Sequence, residues 1–150
     1  MKIYSCVLIL FMSLMLTNSF EQEHRIARLK DFTHESTYLP IFCSQKFTIE
    51  VDGNPSTGFI WALETETDLS KDNIITPLNL NDKNTVEFIK DKEDNTVGKS
   101  GVYHFQFQAH DENSGFVELN FVNKRPWTLE GSTKKKVLIK VLNLKDLKDL

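Results

Sequence analysis

Cysteine is nearly missing from this chain. Its 150 residues hold two, Cys6 and Cys43, and Cys6 lies in a leader-like segment. Cys43 alone cannot form an intramolecular disulfide, so packing must hold the fold together. Excess basic charge is missing too: 18 Lys and Arg stand against 21 Asp and Glu, a formal net charge of −3. Phosphate binding needs clustered Lys and Arg, so nucleic acid is excluded as a partner. The one basic run, Lys134-Lys135-Lys136, reads as a solvated loop or strand start. Histidine is sparse. His104 and His110 sit six apart on the polar face of one expected strand, and His24 and His34 fall in the weakly patterned N-terminal part. No Cys or His pair completes a zinc site, and no Gly-rich phosphate loop precedes a helix. Glu64 with Glu66, and Asp111 with Glu112, read as strand-end charges. Cys43 follows Ile41 and Phe42 and reads as an inert buried thiol. No catalytic constellation can be assembled. The expectation is a protein that is not an enzyme and needs no metal and no cofactor.

What is present begins with a leader. Lys2 precedes the apolar run Ile3 to Leu16, and Thr17 and Ser19 occupy the −3 and −1 positions of a cut before Phe20. Residues 1–19 therefore read as a secretory signal peptide. The run falls short of the roughly 20 residues that span a bilayer, and no basic stop-transfer cluster follows. The expectation is a secretory-pathway protein, secreted or held in a lysosome or vesicle lumen, with no membrane attachment once the leader is gone. Removing Lys2 takes the charge from −3 to −4 and leaves 150 − 19 = 131 residues, enough for one core. Residues 20–41 read as an N-terminal extension and residues 42–150 as the domain.

Apolar residues in the domain alternate with period two rather than 3.6. Phe47, Ile49 and Val51 share a face; so do Phe59, Trp61 and Leu63. Val86 and Phe88 form a short run. Tyr103, Phe105, Phe107 and Ala109 give the clearest strand signal, followed by Val117, Leu119 and Phe121 and then Val137, Ile139 and Val141. Leu138 and Leu142 make that last strand apolar on both faces. Turns are expected at Asp52–Pro55, at Asn113–Gly115, between Gly98 and Gly101, and at Glu130-Gly131-Ser132. Six or seven short strands at this spacing predict an all-β antiparallel sandwich. Asp68 to Asn84 is polar and irregular and crosses between sheets, with a short helical turn near Leu69–Asp72. The tail Leu144–Leu150 is a marginal helical turn or loose.

Three turns are unusual. Asn54-Pro55-Ser56-Thr57-Gly58-Phe59 joins two expected strands. Pro55 fixes φ near −65°, Gly58 permits positive φ, and Asn54, Ser56 and Thr57 can bond nearby backbone. Pro55 also blocks glycosylation of Asn54, the sole Asn-x-Ser/Thr site. Thr96 to Val102 is a small-residue loop, and its glycines let backbone approach another surface. Arg125-Pro126-Trp127 sets a Trp beside a Pro at a strand end, where Trp and Arg are favoured interface anchors. Each has a plain alternative: a well-made hairpin turn, a flexible connector, and a Trp folded back on its own sheet.

Together and in this order, the three segments resemble the chagasin family of cysteine protease inhibitors. That family carries an Asn-Pro-Thr-Thr-Gly-Tyr/Phe loop, a Gly-x-Gly-Gly loop and an Arg-Pro-Trp/Phe loop. Asn54, Pro55, Ser56, Thr57, Gly58 and Phe59 match the first with Ser for one Thr. Arg125, Pro126 and Trp127 match the third fully. Gly98, Lys99, Ser100 and Gly101 match the second in part, since Ser100 stands where Gly is usual. The resemblance covers roughly residues 42–144. It implies an immunoglobulin-like sandwich with all three loops at one end; a monomer is expected. It also implies reversible, competitive inhibition of papain-like, cathepsin L-type cysteine proteases. The first loop would enter near the catalytic cysteine, the second would lie along the non-primed subsites, and the third would take the primed side. A non-inhibitory immunoglobulin-like adhesion module and a protease carrier using the same loops remain as alternatives.

Overall fold

The structure, a computed structural model, describes residues 24–32, 38–64, 73–90, 100–143 and 145. The expected leader, the helical turn near Leu69–Asp72, Gly98, Lys99 and the end of the tail lie outside them. Among the described residues nine strands follow in chain order: β1 (Arg25–Arg28), β2 (Tyr38–Phe42), β3 (Lys46–Gly53), β4 (Ile60–Leu63), β5 (Ile75–Pro77), β6 (Phe88–Lys90), β7 (Gly101–Ala109), β8 (Gly115–Arg125) and β9 (Thr128–Leu142). They form two sheets. One runs β1-β3-β7-β5, with β6 also on β7; the other runs β2-β9-β8-β4. The fold is all-β. Among the described residues no helix is long and apolar enough to cross a membrane.

Period-two alternation decides which residues meet inside. β3 and β7 pair antiparallel with Phe47 opposite Phe107, Ile49 opposite Phe105 and Val51 opposite Tyr103. In that register both apolar sets face the same way. From the other sheet come Leu119 and Phe121 on β8 and Val137, Ile139 and Val141 on β9. All of these are buried. Phe105 and Phe121 meet edge to face across the two sheets, with ring centroids 5.0 Å apart. Phe47 stacks on its cross-strand neighbour Phe107 at 5.3 Å. Each buried Phe contributes about 1.5–3 kcal/mol of transfer free energy, so no disulfide is needed for a packed core. β9 lies between β2 and β8; its Val137, Ile139 and Val141 are buried in the core, while Leu138 and Leu142 on the opposite face are half-buried. The basic run sits within it, where Lys134 contacts Glu64 and Lys136 lies 2.9 Å from Glu118. The Lys136 hydrogen bond holds the Glu118 carboxyl below its ordinary pKa.

The structure corrects four expectations. First, the sandwich is not purely antiparallel. β1 runs parallel to β3, and β2 runs parallel to β9. The segment before residue 42 thus supplies an edge strand to each sheet. β1 is held by Arg28–Glu50 at 3.3 Å and His24–Thr48 at 2.8 Å, and Leu29 just beyond it is buried. Second, Glu130-Gly131-Ser132 is not a turn between strands. Asn123 pairs with Thr133 but Arg125 with Thr128, so β9 bulges there, and Gly131 supplies the left-handed residue (φ 73°). Third, Asp68–Asn84 is not wholly irregular: Ile75–Pro77 forms β5 on β7. Pro77 is tolerated because β5 is an edge strand. Fourth, Cys43 is half-buried rather than buried, with its thiol 3.8 Å from the Asn113 carbonyl oxygen.

Candidate functional site

β3 and β7 place Gly53 opposite Gly101, β4 and β8 place Ile60 opposite Lys124, and the β8–β9 turn follows at Pro126–Trp127. The first and third motifs therefore emerge at one end of the sandwich, and the second motif enters β7 at that same end.

The first loop is closed on itself. Pro55–Thr57 is a single 3₁₀ turn. The Asn54 side-chain oxygen accepts from the Ser56 amide at 3.1 Å and the Ser56 hydroxyl at 2.5 Å. The Thr57 hydroxyl donates to the Asn54 carbonyl at 2.8 Å, and the Gly58 amide donates to the Pro55 carbonyl at 2.9 Å. Gly58 ends the turn at φ 81°, a conformation glycine adopts without strain. Ser56 and Thr57 stay exposed at the tip. This is the Asx-turn chemistry the sequence promises.

The third motif is a two-residue turn. Arg125 ends β8 and pairs with Thr128, and Pro126 and Trp127 make the reversal. Trp127 is 73% exposed; it is not folded onto its own sheet. The Arg125 guanidinium carbon lies 4.6 Å from the centroid of the Phe59 ring. The Trp127 ring comes within 3.4 Å of where a Cβ on Gly58 would stand. The structure thus brings Asn54–Phe59 and Arg125–Trp127 together.

Of the second motif, Ser100 and Gly101 are described. Ser100 is exposed and Gly101 buried. Gly101 is a packing glycine: a Cβ there would overlap the Ile89 carbonyl oxygen and the Phe88 ring. Gly53 opposite needs the same bareness, since a Cβ would stand 2.5 Å from the Tyr103 ring. Beneath the loops, Phe88 and Tyr103 pack at 5.1 Å, and the Trp61 indole donates to the Asp52 carbonyl at 3.1 Å. Sequence reading missed this support. Its one signal is an aromatic residue near the start of the strand that follows the first and the second loop, Trp61 and Tyr103. Burial pushes the Tyr103 hydroxyl above its ordinary pKa.

The candidates for other chemistry stay apart. His104 contacts Glu50 at 3.4 Å, His110 bonds Thr76 at 2.7 Å, and His24 bonds Thr48. Among the described residues no three His, Cys, Asp or Glu side chains are grouped to hold a metal ion.

The model of the chagasin family of peptidase inhibitors matches residues 43–141. The chain belongs to the chagasin family. The match takes in all three motifs and leaves β1 and β2 before it. No curated protein matches the sequence. Among solved structures, this chagasin-family chain is similar to amebosin, at 21% identity over 80% of this chain and 99% of that one, with a TM-score of 0.55. It is also similar to EhICP2, a cysteine protease inhibitor from Entamoeba histolytica, at 18% identity over 79% and 93%, TM-score 0.50. Both likenesses show the shared fold. A looser likeness, TM-score 0.44 at 14% identity over 81% and 92%, is to PbICP-C in complex with falcipain-2.

Proposed function

We propose that this chain is a reversible, competitive inhibitor of papain-like cysteine proteases. In this reading Asn54–Phe59, Gly98–Gly101 and Arg125–Trp127 fill the active-site cleft. The observation that carries it is the pairing of a self-bonded polar loop with an exposed Trp at one end of a rigid sandwich. Membership of a peptidase-inhibitor family supports it and does not favour a non-inhibitory adhesion module. A cleft with a cysteine at its floor binds extended backbone. A stiff loop such as Asn54–Phe59 offers backbone without a scissile bond in register. Because its hydrogen bonds are already made, it loses little chain freedom on docking. Trp127 next to Pro126 is a rigid aromatic anchor of the kind that dominates interface energies. In this proposal the protein acts as a monomer, without enzymatic activity or cofactor, in the secretory pathway. Titration of residues 20–150 against papain, with trypsin beside it, is the test. Papain inhibition at nanomolar concentrations is expected, and trypsin should be untouched.

A further inference from the structure

The hydrogen bonds of Asn54–Phe59 give the loop its shape but leave open what aims it relative to Trp127. We propose that Arg125 is a positioning residue that ties the two loops into one rigid unit, rather than a charge offered to the protease. The inference rests on the inhibitory reading above. Arg125 is the last residue of β8, directly before Pro126, so its backbone is fixed by the sheet. Its guanidinium carbon lies 4.6 Å over the Phe59 ring, and its Nε is 3.9 Å from where a Gly58 Cβ would stand. The Trp127 ring reaches the same spot to within 3.4 Å. Gly58 is thus flanked by the residues on both sides of Pro126. The guanidinium is planar and stacks on an aromatic face. A Lys ammonium is a compact, strongly hydrated charge and does not hold a ring in the same way. Two loops that enter one rigid cleft must keep a fixed separation, so loosening this tie weakens both at once.

The test is a double-mutant cycle on residues 20–150 against papain, with a thermal melt for each protein. Arg125→Lys keeps the charge and loses the stack; Phe59→Leu keeps the bulk and loses the ring face. Each single substitution is expected to raise the inhibition constant about five- to tenfold. The double variant should stay within about twofold of Phe59→Leu, because the stack needs both partners. Losses that multiply in the double variant would overturn the proposal, as would an Arg125→Lys protein that inhibits normally. The free inhibitor gives a readout that needs no protease. NMR order parameters of the Gly58 and Phe59 amides and of the Trp127 indole should fall in folded Arg125→Lys, and unchanged values would overturn the tie. If the parent fails to inhibit papain, the inhibitory reading falls and the order parameters still decide the role of Arg125.

Discussion

Trp127 is the most exposed large hydrophobic side chain among the described residues, at 73%. Its neighbour Pro126 restricts the chain, so docking the indole gains apolar burial at little entropic cost. Trp127→Ala should weaken inhibition by about 2–4 kcal/mol, as for an aromatic hot spot. Stability should stay within about 0.5 kcal/mol of the parent. Inhibition titration and thermal melting on the one variant check both; early melting with normal inhibition per folded molecule would make Trp127 a packing residue. Tyr103 is the opposite case. Its hydroxyl is buried with no hydrogen-bond partner among the described residues, and burial raises its pKa above 10.0. The folded pKa therefore exceeds the unfolded one. The contribution of this group is fully present below pH 10.0 and is lost as pH rises through the folded value. Tyr103→Phe removes the unpaired hydroxyl at constant shape. At pH 7 its stability to urea should match or exceed the parent's, by up to about 1 kcal/mol, and the loss on raising the pH above 10.0 should shrink. A clear destabilisation at pH 7 would show that the hydroxyl has a partner.

Short strands decide how the loop end is built. β6 pairs with β7 through Phe88–Tyr103, Ile89–Val102 and Lys90–Gly101. That closeness depends on Gly101, because an added Cβ meets the Ile89 backbone carbonyl, which cannot rotate away. Gly101→Ala should cost about 1–3 kcal/mol and release β6 while β3–β7 pairing persists. Hydrogen exchange should then quicken at residues 88–90 and stay slow at 47–51; a protected β6 and an unchanged melt would contradict this. The elements with clear faces were legible in the sequence. Phe47, Ile49, Phe105 and Phe107 alternate with polar residues, and all are fully buried. Alternation says which way a side chain points but not which strand lies beside it. Hence the parallel edges were not legible, and β1, with Arg25 and Arg28 around Ile26 and Ala27, hardly alternates at all. β5 is three residues ending in Pro77, too short to show a period. Gly131 looked like a turn because a bulge asks for the same left-handed glycine as a turn. At the site, Asn54–Gly58 was readable because its bonds are local. The Arg125–Phe59 contact was not, since those residues lie 66 apart in sequence and meet only through β4–β8 pairing.

At the scale of the whole molecule, the sandwich holds two loops at fixed positions on one end. The packing that does this crosses both sheets. Phe105 against Phe121 joins β7 to β8, the strands that lead out of the second motif and into the third. With no disulfide among the described residues, this core alone sets the rigidity on which loop pre-organisation depends. Softening it should therefore reach the site. Phe121→Ala should cost about 3–5 kcal/mol of stability, read as a fall in melting temperature, and should slow association with papain more than Trp127→Ala does. Equal association rates for the two variants would show that the loops hold their places without the core. The most direct measurement remains a titration of residues 20–150 against papain, with trypsin as the serine-protease control. A stoichiometric, competitive loss of papain activity at nanomolar concentration, with trypsin unaffected, is the predicted result; full papain activity at micromolar protein would contradict it.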